Sequence, residues 1–319
     1  MKTALIIGIT GQDGAYLSEL LLRKGYRVCG NIRTDIEDSL FGLEYLKIKD
    51  QVELFPCNIE NYDSVYNLIK SVKPDEIYNL AAQSSVSVSF KEPGLTLRIN
   101  YISVLNLLES IRKSDYETRL FQASSSEMYG NLQTMPITLE RALDPVSPYA
   151  VSKAASHWMV KNYRDIYNIF ACTGVMFNHE SYLRGSNFFV KIVIRQSIEI
   201  KKGIRENLIV GNISPKRDFG YAPAYVDAMW RMLQQDHSDD YMVCTGRSIR
   251  LSKIISTVFE LLNISENRLH ISDDLYRPED IEVVYGDPTK AREKLDWEFN
   301  TRFEKVLEWL VEEELKNWR

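Results

Sequence analysis

Short apolar runs alternate with amphipathic segments through the first half of the chain. The runs TALIIGI, YRVCGNI, VELFPC, EIYNLAA, LFQASSS and IFACTGVM have the length and the β-branched content of buried strands. Between them, segments such as QDGAYLSELLLRKG and YDSVYNLIKSV carry apolar residues three and four positions apart, which is helical spacing. This alternation predicts an α/β fold with a doubly wound parallel sheet covered by helices on both faces.

The alternation loosens after residue 176 into loops, polar segments and helices. We expect a smaller domain there, holding a substrate over the carboxyl ends of the strands. The segment RDFGYAPAYVDAMWRMLQQ is a predicted helix with its entry loop, and it would return to the first domain. The two predicted domains are therefore interleaved: residues 1–176 with 214–243 form the first, and residues 177–213 with 244–319 form the second, C-terminal one.

The composition is ordinary for a globular enzyme and excludes several classes of protein. Of the 319 residues, 45% are hydrophobic and 26% are charged, and the formal net charge is -5. Lysines and arginines are scattered without a basic run, so we expect no nucleic-acid partner. No stretch approaches the roughly 18 apolar residues of a membrane span, so we expect no membrane partner.

The cysteines Cys29, Cys57, Cys172 and Cys244 are far apart in the sequence. We interpret them as reduced core residues, because three of them lie in apolar, strand-like runs. No CxxC or Cys/His spacing indicates zinc, and we predict no metal site. The apolar start MKTALIIGIT leads straight into a glycine loop, which is typical of a first strand rather than a signal peptide. We therefore expect a cytoplasmic protein.

Three glycines, Gly8, Gly11 and Gly14, separate the first predicted strand from the first predicted helix in the run GITGQDG. Glycine permits a tight turn and lets a pyrophosphate approach the backbone, while the helix N-terminus offers N–H groups and a favourable dipole. Three glycines alone are a weak signal, but the strand–loop–helix context makes them a strong indication of a dinucleotide site.

The end of the second predicted strand bears on the choice of dinucleotide. An acid there would favour NAD by bonding the ribose hydroxyls. Here the strand ends NIRT, with Ile32 near the acid's place and Arg33 next, which favours the 2′-phosphate of NADP. Asp35 follows closely and weakens the distinction, and Arg33 could also be a solvated charge at a strand end. We predict NADP, with NAD as the less favoured cofactor.

Tyr149 and Lys153 are four residues apart in the run SPYAVSK, which places both on one face of a predicted helix. A nearby ammonium, together with the positive nicotinamide ring, can lower the pKa of the phenol until Tyr149 acts as a base near neutral pH. Following the fifth strand, this pair resembles the catalytic pair of the short-chain dehydrogenase/reductase superfamily. The extended branch of that superfamily acts on nucleotide sugars.

The run QASSSEMYG brings three serines and one acid to the end of the fifth predicted strand. Ser125 would bond the sugar hydroxyl that Tyr149 deprotonates, and Glu127, two residues on in an extended chain, would point to the same side. A dehydratase needs such an acid to remove a carbon-bound proton and help a hydroxyl leave as water, whereas an epimerase or simple reductase does not. The alternative is that Glu127 is a salt-bridged residue at a strand end.

Further runs are more specific than the glycine loop or YxxxK, namely NLAAQSSVSVSF, FNHES, RDFGYAPAYVDAMW and RPEDIEVVYGDPTKAREKLDW. With GITGQDG, QASSSEMYG and SPYAVSK they extend over nearly the whole chain. The chain thus resembles the GDP-mannose 4,6-dehydratase family. The resemblance implies a Rossmann-type fold, a tightly held and recycled NADP, a GDP-linked nucleotide-sugar substrate, and a homodimer or homotetramer.

The resemblance also implies which residues form the site. It assigns catalysis to Ser125, Glu127, Tyr149 and Lys153. It implies, together with the glycine loop and the end of the second strand, cofactor contacts from Gly8, Ile9, Thr10, Gly11, Gln12, Asp13, Gly14, Arg33, Asn58, Ile59, Leu80, Ala81, Ala82, Gln83, Ser84, Tyr149, Lys153, His179 and Arg184. It implies substrate contacts from Ser85, Ser125, Glu127, Asn178, Lys191, Arg217 and Arg277. The arginine forks suit a diphosphate, although each arginine alone could be a surface charge, and His179 could be a core histidine satisfied by backbone.

The chain departs from the family pattern at several places. Ser125 stands where the family usually has Thr, which keeps the hydroxyl, and Asn58 replaces the usual Asp near the adenine. After NHES the chain reads YLRGSNFFVKI where the family reads PRRGETFVTRK, and this is the segment in which we expect nucleotide recognition. The loop RTDIEDS after the second strand is shorter than in the family, which weakens the expectation of a tetramer.

We predict an NADP-dependent hydro-lyase that converts GDP-mannose to GDP-4-keto-6-deoxymannose by transient oxidation at C4, loss of water across C5 and C6, and return of hydride to C6. Three alternatives remain. A GDP-heptose 4,6-dehydratase would differ only in the segment after FNHES. A UDP-glucuronate decarboxylase-like enzyme would need a cation for the sugar carboxylate. A non-catalytic dinucleotide sensor would have little reason to keep all four catalytic residues.

Overall fold

The computed structural model describes residues 1–33, 39–132, 134–276 and 281–318. Its strands are β1 Thr3–Ile7, β2 Arg27–Ile32, β3 Glu53–Pro56, β4 Glu76–Asn79, β5 Arg119–Ser125, β6 Ala171–Met176, β7 Asn178–Glu180, β8 Leu208–Val210, β9 Lys216–Arg217, β10 Phe219–Tyr221, β11 Asp240–Val243, β12 Ile249–Arg250, β13 Leu269–Ile271 and β14 Val283–Val284. Its α helices are α1 Gln12–Arg23, α2 Phe41–Tyr45, α3 Tyr62–Val72, α4 Val86–Lys91, α5 Pro93–Leu97, α6 Ser103–Arg112, α7 Pro148–Tyr167, α8 Phe189–Lys201, α9 Ala222–Leu233, α10 Leu251–Leu262, α11 Thr289–Leu295 and α12 Phe303–Lys316. Within the described residues, no helix combines the length and the apolar character that crossing a membrane requires.

The largest sheet is parallel and, in the described part of the chain, has seven strands in the order β11-β6-β5-β4-β1-β2-β3. Strand β1 pairs with β2 on one side and with β4 on the other, so the strand order reverses at β1. Ligands of open α/β sheets bind outside the carboxyl ends of the strands at such a reversal. The six apolar runs are β1 to β6, and the predicted doubly wound α/β fold is confirmed.

Helices cover both faces of this sheet. Successive side chains of a strand point to opposite faces, so each strand packs against helices on both sides. In β1, Ile6 packs with Leu17 of α1 and Met229 of α9 on one face. On the other face, Leu5 packs with Leu107 of α6. These side chains are completely buried, and burial of each contributes about 1.5–3 kcal/mol, so the strands form a well-packed platform for the residues at their carboxyl ends.

A separate core joins α8, α10 and α12, where Val193, Ile255 and Leu307 meet. The short sheets pair β7 with β10, β8 with β13, and β9 with both β12 and β14. The chain passes more than once between the two cores: β11 is an edge strand of the large sheet, and Trp297, between α11 and α12, packs with α1 and α9. The residue limits of the two interleaved domains stay a prediction.

Two local features differ from the sequence-based expectation. Strand β5 ends at Ser125, and the chain turns into a 3-10 helix, Ser126–Tyr129, instead of continuing extended through Glu127. A π helix, Arg98–Ile102, precedes α6. Such widened turns occur often at functional sites, and both features lie next to candidate site residues.

Candidate active site

Ser125 and Glu127 lie where β5 leaves the sheet. Ser125 Oγ accepts a hydrogen bond from the backbone N–H of Glu127 at 3.3 Å and so caps the 3-10 helix. This bond turns the chain immediately after Ser125. The expectation that an extended strand places both side chains on one side is therefore corrected, because a capped turn holds the two residues together.

Tyr149 and Lys153 lie in the first two turns of α7. The helix begins at Pro148, whose fixed φ suits a first helical position. Ser147 is the N-cap, and its Oγ accepts a hydrogen bond from the N–H of Ala150 at 3.1 Å. The cap and the proline together fix the start of α7, and with it the place of Tyr149.

Direct contacts join α7 to the end of β5. Lys153 Nζ donates a hydrogen bond to the carbonyl oxygen of Ala123 at 3.0 Å. Tyr149 shares a side-chain hydrogen bond with Ser125 and lies within the electrostatic reach of Glu127. The structure thus brings together all four residues that the sequence indicated for catalysis.

Burial dominates the ionisation of Tyr149 and Lys153. It raises the pKa of Tyr149 to about 12, while the hydrogen bond from Ser125 and the charge of Arg184 act in the opposite direction. Burial also lowers the pKa of Lys153 to about 8. The expected lowering of the phenol pKa by the Lys153 ammonium together with the positive nicotinamide ring stays a prediction. Tyr149 therefore needs a further positive charge, such as the nicotinamide ring expected beside it, to act as a base near neutral pH.

The turn between β1 and α1 requires glycine at two positions. Gly8 has a φ of +91°, and a Cβ there would lie 2.8 Å from the backbone nitrogen of Ala81. A Cβ on Gly14 would lie 2.3 Å from the carbonyl oxygen of Gly8. Asn31 Oδ1 accepts a hydrogen bond from the N–H of Gly8 at 2.8 Å, which fixes the turn against β2. The backbone is therefore closely packed and held in one shape.

The start of α1 fits a diphosphate. The N-cap is Gly11, which has no side chain, so no side-chain cap occupies the N–H groups of the first turn of the helix. N–H groups at a helix N-terminus, aided by the helix dipole, bind anionic groups. Ile9 is completely buried and Thr10 is half-buried at the turn, so a direct contact of either residue with the cofactor stays a prediction. These features suit the dinucleotide predicted from the glycine spacing.

Asn100 couples the segment after β4 to the catalytic helix. Its Oδ1 accepts a hydrogen bond from the N–H of Gln83 at 2.8 Å, and its Nδ2 donates to Ser152 Oγ at 3.0 Å. Sequence reasoning missed Asn100, although a signal exists: it shares a helical face with the buried Val104 and Leu107. The run Leu80–Ser84 is thereby tied to α7, as a shared cofactor site requires.

Ser85 lies next to that run and begins α4. Its Oγ accepts a hydrogen bond from the N–H of Val88 at 3.3 Å and lies 3.0 Å from Ser87 Oγ. Its backbone N–H donates to Gln83 Oε1 at 2.7 Å. Ser85 therefore has a structural role as a helix cap, and its predicted substrate contact stays a prediction.

Asp13 and His179 form a partly buried pair between α1 and β7. His179 Nε2 lies 2.9 Å from Asp13 Oδ2, and Nδ1 lies 2.7 Å from the carbonyl oxygen of Phe177. Burial opposes both charges, but their mutual attraction prevails and raises the pKa of His179 while lowering that of Asp13. Both ring nitrogens bond within the chain, so His179 anchors the glycine turn. Its direct contact with the cofactor stays a prediction.

Arg184 reaches the same region. Its guanidinium carbon lies 3.6 Å from the centroid of the Phe188 ring, and Nε lies 3.5 Å from Glu180 Oε1. Burial has the largest influence on the pKa values of Tyr149 and Asp13, and the charge of Arg184 acts to lower both. Arg184 therefore lies near the catalytic helix and near the glycine turn, which suits its predicted cofactor contact.

Two of the predicted substrate residues lie on short strands. Asn178 Nδ2 donates a hydrogen bond to the carbonyl oxygen of Asp218 at 3.3 Å. The neighbouring Arg217 is 7% exposed and donates to the carbonyl oxygen of Lys216 at 3.0 Å. Arg277 lies outside the described residues. The predicted diphosphate contacts of these three residues stay a prediction.

Lys191 has an internal partner that the sequence did not indicate. Its ammonium forms a short ion pair with Glu314 of α12 and donates to the carbonyl oxygen of Tyr182 at 2.7 Å. Tyr182 replaces the family's proline in the altered segment, and its ring packs at a tilt of 38° against the ring of Tyr45, with centroids 4.8 Å apart. The structure thus joins the altered segment to α2 and α12, and a substrate contact from Lys191 stays a prediction.

The residues predicted near the adenine lie after β2 and β3. Asn58 is exposed, and its Oδ1 accepts a hydrogen bond from the N–H of Glu60 at 3.0 Å. The carbonyl oxygen of Ile59 accepts from Asn106 Nδ2 at 3.0 Å. Arg33 is exposed directly after β2, whereas Asp35 lies outside the described residues. These two loops follow adjacent paired strands, as one binding edge requires.

Comparison with known proteins shows the family of this chain. The profile of the family described as GDP-mannose 4,6 dehydratase matches residues 5–310. GDP-mannose 4,6 dehydratase 1 of Arabidopsis thaliana is 39% identical over 99% of this chain and 90% of its own. Two solved structures share the fold at low identity. UDP-glucose 4-epimerase of Thermotoga maritima has a TM-score of 0.89 and 22% identity, covering 99% of this chain and 100% of its own. RMD of Pseudomonas aeruginosa complexed with NADPH has a TM-score of 0.80 and 23% identity, covering 98% of each chain. The chain belongs to the GDP-mannose 4,6-dehydratase family.

Proposed function

We propose that this chain is an NAD(P)-dependent hydro-lyase that converts GDP-mannose to GDP-4-keto-6-deoxymannose. The observation that carries the proposal is the placement of a carboxyl group, Glu127, beside Ser125 and Tyr149 at the end of β5. The Arabidopsis relative, which is similar along its length, bears the name of this activity. A nucleotide sugar is accordingly the substrate class.

The first proton transfer belongs to Tyr149. The glycine turn and Lys153 would hold the dinucleotide, whose nicotinamide would supply reversible hydride transfer between C4 and C6 of the sugar. Tyr149 accepts the proton of the 4-hydroxyl, and Ser125, already hydrogen-bonded to Tyr149, donates to the same sugar oxygen. Lys153, held on the carbonyl of Ala123, orients α7 and offers its remaining protons to the ribose.

Elimination belongs to Glu127. The 4-ketone makes the C5 proton acidic, because the adjacent enolate carries the charge. Glu127 takes that proton and passes a proton to the 6-hydroxyl, which leaves as water. As the hydride returns to C6, C5 takes a proton from solvent through Glu127, and Tyr149 releases to solvent the proton that it took from the 4-hydroxyl, so the net change is the loss of one water from the sugar.

The preference for NADP rests on Arg33. This residue is exposed immediately after β2, where the ribose of a dinucleotide lies in doubly wound folds. A guanidinium suits a 2′-phosphate, because it donates two parallel hydrogen bonds. Arg33→Ala should weaken binding of NADPH and leave that of NADH unchanged, and Arg27→Ala at the other end of β2 is the control. Equal effects on both cofactors would contradict the preference.

Self-association rests on an exposed apolar stripe. Val151 and Trp158 are seven residues apart on α7 and are 46% and 55% exposed, and Ile102 is 37% exposed. Apolar side chains in such a stripe are typical of helices that pack against a second subunit. We expect a homodimer by light scattering, and a monomer for Trp158→Glu. An unchanged mass for that variant would place the dimer interface elsewhere. A tetramer would require further contact surfaces besides this stripe.

The proposed cytoplasmic location is supported by cysteine chemistry. Cys29, Cys57, Cys172 and Cys244 are all free and buried. Free core thiols suit a reducing environment, which supports a cytoplasmic location.

The test of the function is direct. Purified protein is incubated with GDP-mannose, first alone and then with NADP, and the product is examined by mass spectrometry for loss of one water. Conversion without added cofactor shows that NADP co-purifies and is recycled. Absence of conversion in both reactions contradicts the proposed substrate.

Related substrates then separate the alternatives. Conversion of GDP-heptose but not GDP-mannose would assign sugar choice to the segment Tyr182–Ile192. Loss of carbon dioxide from UDP-glucuronate would indicate a decarboxylase. Binding of NADPH without turnover of any nucleotide sugar would favour a sensor.

A further inference from the structure

Glu180 is a buried acid that the proposed chemistry does not use. It lies at the end of β7 and is 3% exposed. Among the described residues, its Oε2 has no hydrogen-bond partner. Burial raises the pKa of this carboxyl group. A buried acid without full hydrogen bonding is costly, so its place next to the site calls for a functional explanation.

The group that faces Glu180 is Arg184, four residues later. Arg184 Nε lies 3.5 Å from Glu180 Oε1, which is longer than the roughly 2.7–2.9 Å of a charge-assisted hydrogen bond. In the described part of the chain, Nε likewise has no hydrogen-bond partner. On its other side, the guanidinium packs on the Phe188 ring at 3.6 Å. Arg184 is thus held between an acid and an aromatic ring, with donor capacity left over.

The other charged groups near Glu180 have partners of their own. His179 is paired with Asp13 at 2.9 Å. Lys191 forms its short ion pair with Glu314. Arg184 is therefore the charged group that remains to pair with Glu180. The carboxylate balances the charge of the guanidinium, and the guanidinium favours the ionised form of the acid.

We propose that Glu180 is a positioning residue, which orients the Arg184 guanidinium towards the dinucleotide between Tyr149 and the glycine turn. The inference rests on the proposed function, because it takes Arg184 as a cofactor contact. A long arginine side chain has many rotamers, and a carboxylate on one side with a ring on the other selects among them. Glu180 thereby acts on cofactor binding through Arg184 and not by touching the cofactor.

The test is a double-mutant cycle on NADPH affinity, measured by fluorescence titration without any sugar nucleotide. The proteins are wild type, Glu180→Gln, Arg184→Lys and the double variant. We expect Glu180→Gln to raise the Kd about tenfold, as is typical when a partner that orients a ligand group is lost. Arg184→Lys should raise it at least as much, and the double variant should match Arg184→Lys alone, because no guanidinium is left to orient.

An unchanged Kd for Glu180→Gln would overturn the inference. Losses of NADPH affinity that add in the double variant would also overturn it, because additivity means that Glu180 acts independently of Arg184. If Glu180→Gln does not fold, Glu180→Asp keeps the charge, retracts the carboxylate and completes the same cycle. Asp240→Asn is the matched control, because Asp240 forms a bidentate pair with Arg164 at 2.9 Å at the other end of the sheet. It should lower the melting temperature and leave the Kd unchanged.

The outcomes for this inference and for the proposed function are separable. A wild type that binds NADPH but does not dehydrate GDP-mannose refutes the function and leaves the cycle valid. If NADH binds more tightly, the cycle is run with NADH. A wild type that binds neither cofactor overturns both proposals.

Discussion

The backbone N–H of Glu127 donates a 3.3 Å hydrogen bond to the side-chain oxygen of Ser125, so the acid and the hydroxyl are held by one turn. Ser125 is the last residue of β5, in which Leu120 and Phe121 are completely buried. The position of the acid is therefore set by a strand in the core of the sheet. This rigid attachment is what a proton transfer at a defined carbon requires.

Glu127→Gln should abolish dehydration and preserve cofactor binding. Glutamine keeps the size and the backbone of the turn but cannot accept a proton, so we expect kcat to fall about 10²–10⁴-fold. NADPH affinity, measured by fluorescence, should stay unchanged. Glu117→Gln is the control, because Glu117 is exposed just before the opposite end of β5. Near-normal turnover by Glu127→Gln would remove this acid from the mechanism.

Ser125→Ala should slow the reaction and shift its pH profile. Loss of a hydrogen-bond donor to the sugar oxygen should lower kcat about 10²-fold. The hydrogen bond from Ser125 opposes the burial that raises the pKa of Tyr149, so its removal should raise that pKa further. The rising limb of the rate against pH should then move to higher pH. Ser125→Thr keeps the hydroxyl and should behave like wild type; equal defects in both variants would argue against the hydroxyl.

Lys153→Met should stabilise the protein at pH 7 while it inactivates the enzyme. Burial lowers the pKa of Lys153 from 10.5 to about 8, so the unfolded chain binds the proton more tightly than the folded one. Each unit of pKa corresponds to about 1.4 kcal/mol, and the charged lysine thus costs about 3 kcal/mol of stability below pH 8. The stability of wild type should rise between pH 8 and 10.5 relative to the variant.

Urea unfolding of both proteins at pH 7 and at pH 10 measures this difference. Lys161→Met, two turns later on α7, is the control, because Lys161 is partly exposed over the Trp158 ring. An advantage of Lys153→Met that is the same at both pH values would contradict the linkage.

Glu76→Gln should destabilise the fold without affecting catalysis. Glu76 begins β4, at the opposite end of the strand from the site, and is completely buried. Its carboxylate accepts hydrogen bonds from Lys2 at 2.9 Å, Tyr26 at 3.0 Å and Tyr78 at 2.7 Å. Loss of this charge among its donors should reduce the free energy of unfolding by about 3 kcal/mol.

Urea unfolding and kcat are measured side by side. Glu53→Gln on β3 is the matched control: its carboxylate pairs with Arg27 at 2.6 Å, but the side chain is 49% exposed. An exposed pair contributes at most about 1 kcal/mol, so this variant should unfold almost like wild type. A similar loss in both variants would show that burial does not decide the effect.

Hydrophobic spacing was sufficient for six strands of the large sheet but not for its edge strand β11, which was not among the predicted runs. The runs from TALIIGI to IFACTGVM became β1 to β6, because strands buried on both faces must be apolar at consecutive positions. The glycine turn was predictable for the same kind of reason, since Gly8 has positive φ and a Cβ on Gly14 would meet the backbone. Each signal is local, and a few neighbouring residues contain it.

The sequence by itself therefore determined the fold class, the glycine turn and the chemical types gathered at the strand ends. Only the tertiary structure decided the partners: His179 with Asp13, 166 residues away, and Lys191 with Glu314, 123 residues away. It also decided that burial has the largest influence on the pKa of Tyr149, with Ser125, Glu127 and Arg184 as the neighbours that modify it. The physical reason is that spacing along the chain determines which face of an element is buried, whereas hydrogen-bond partners and desolvation depend on which distant elements pack together.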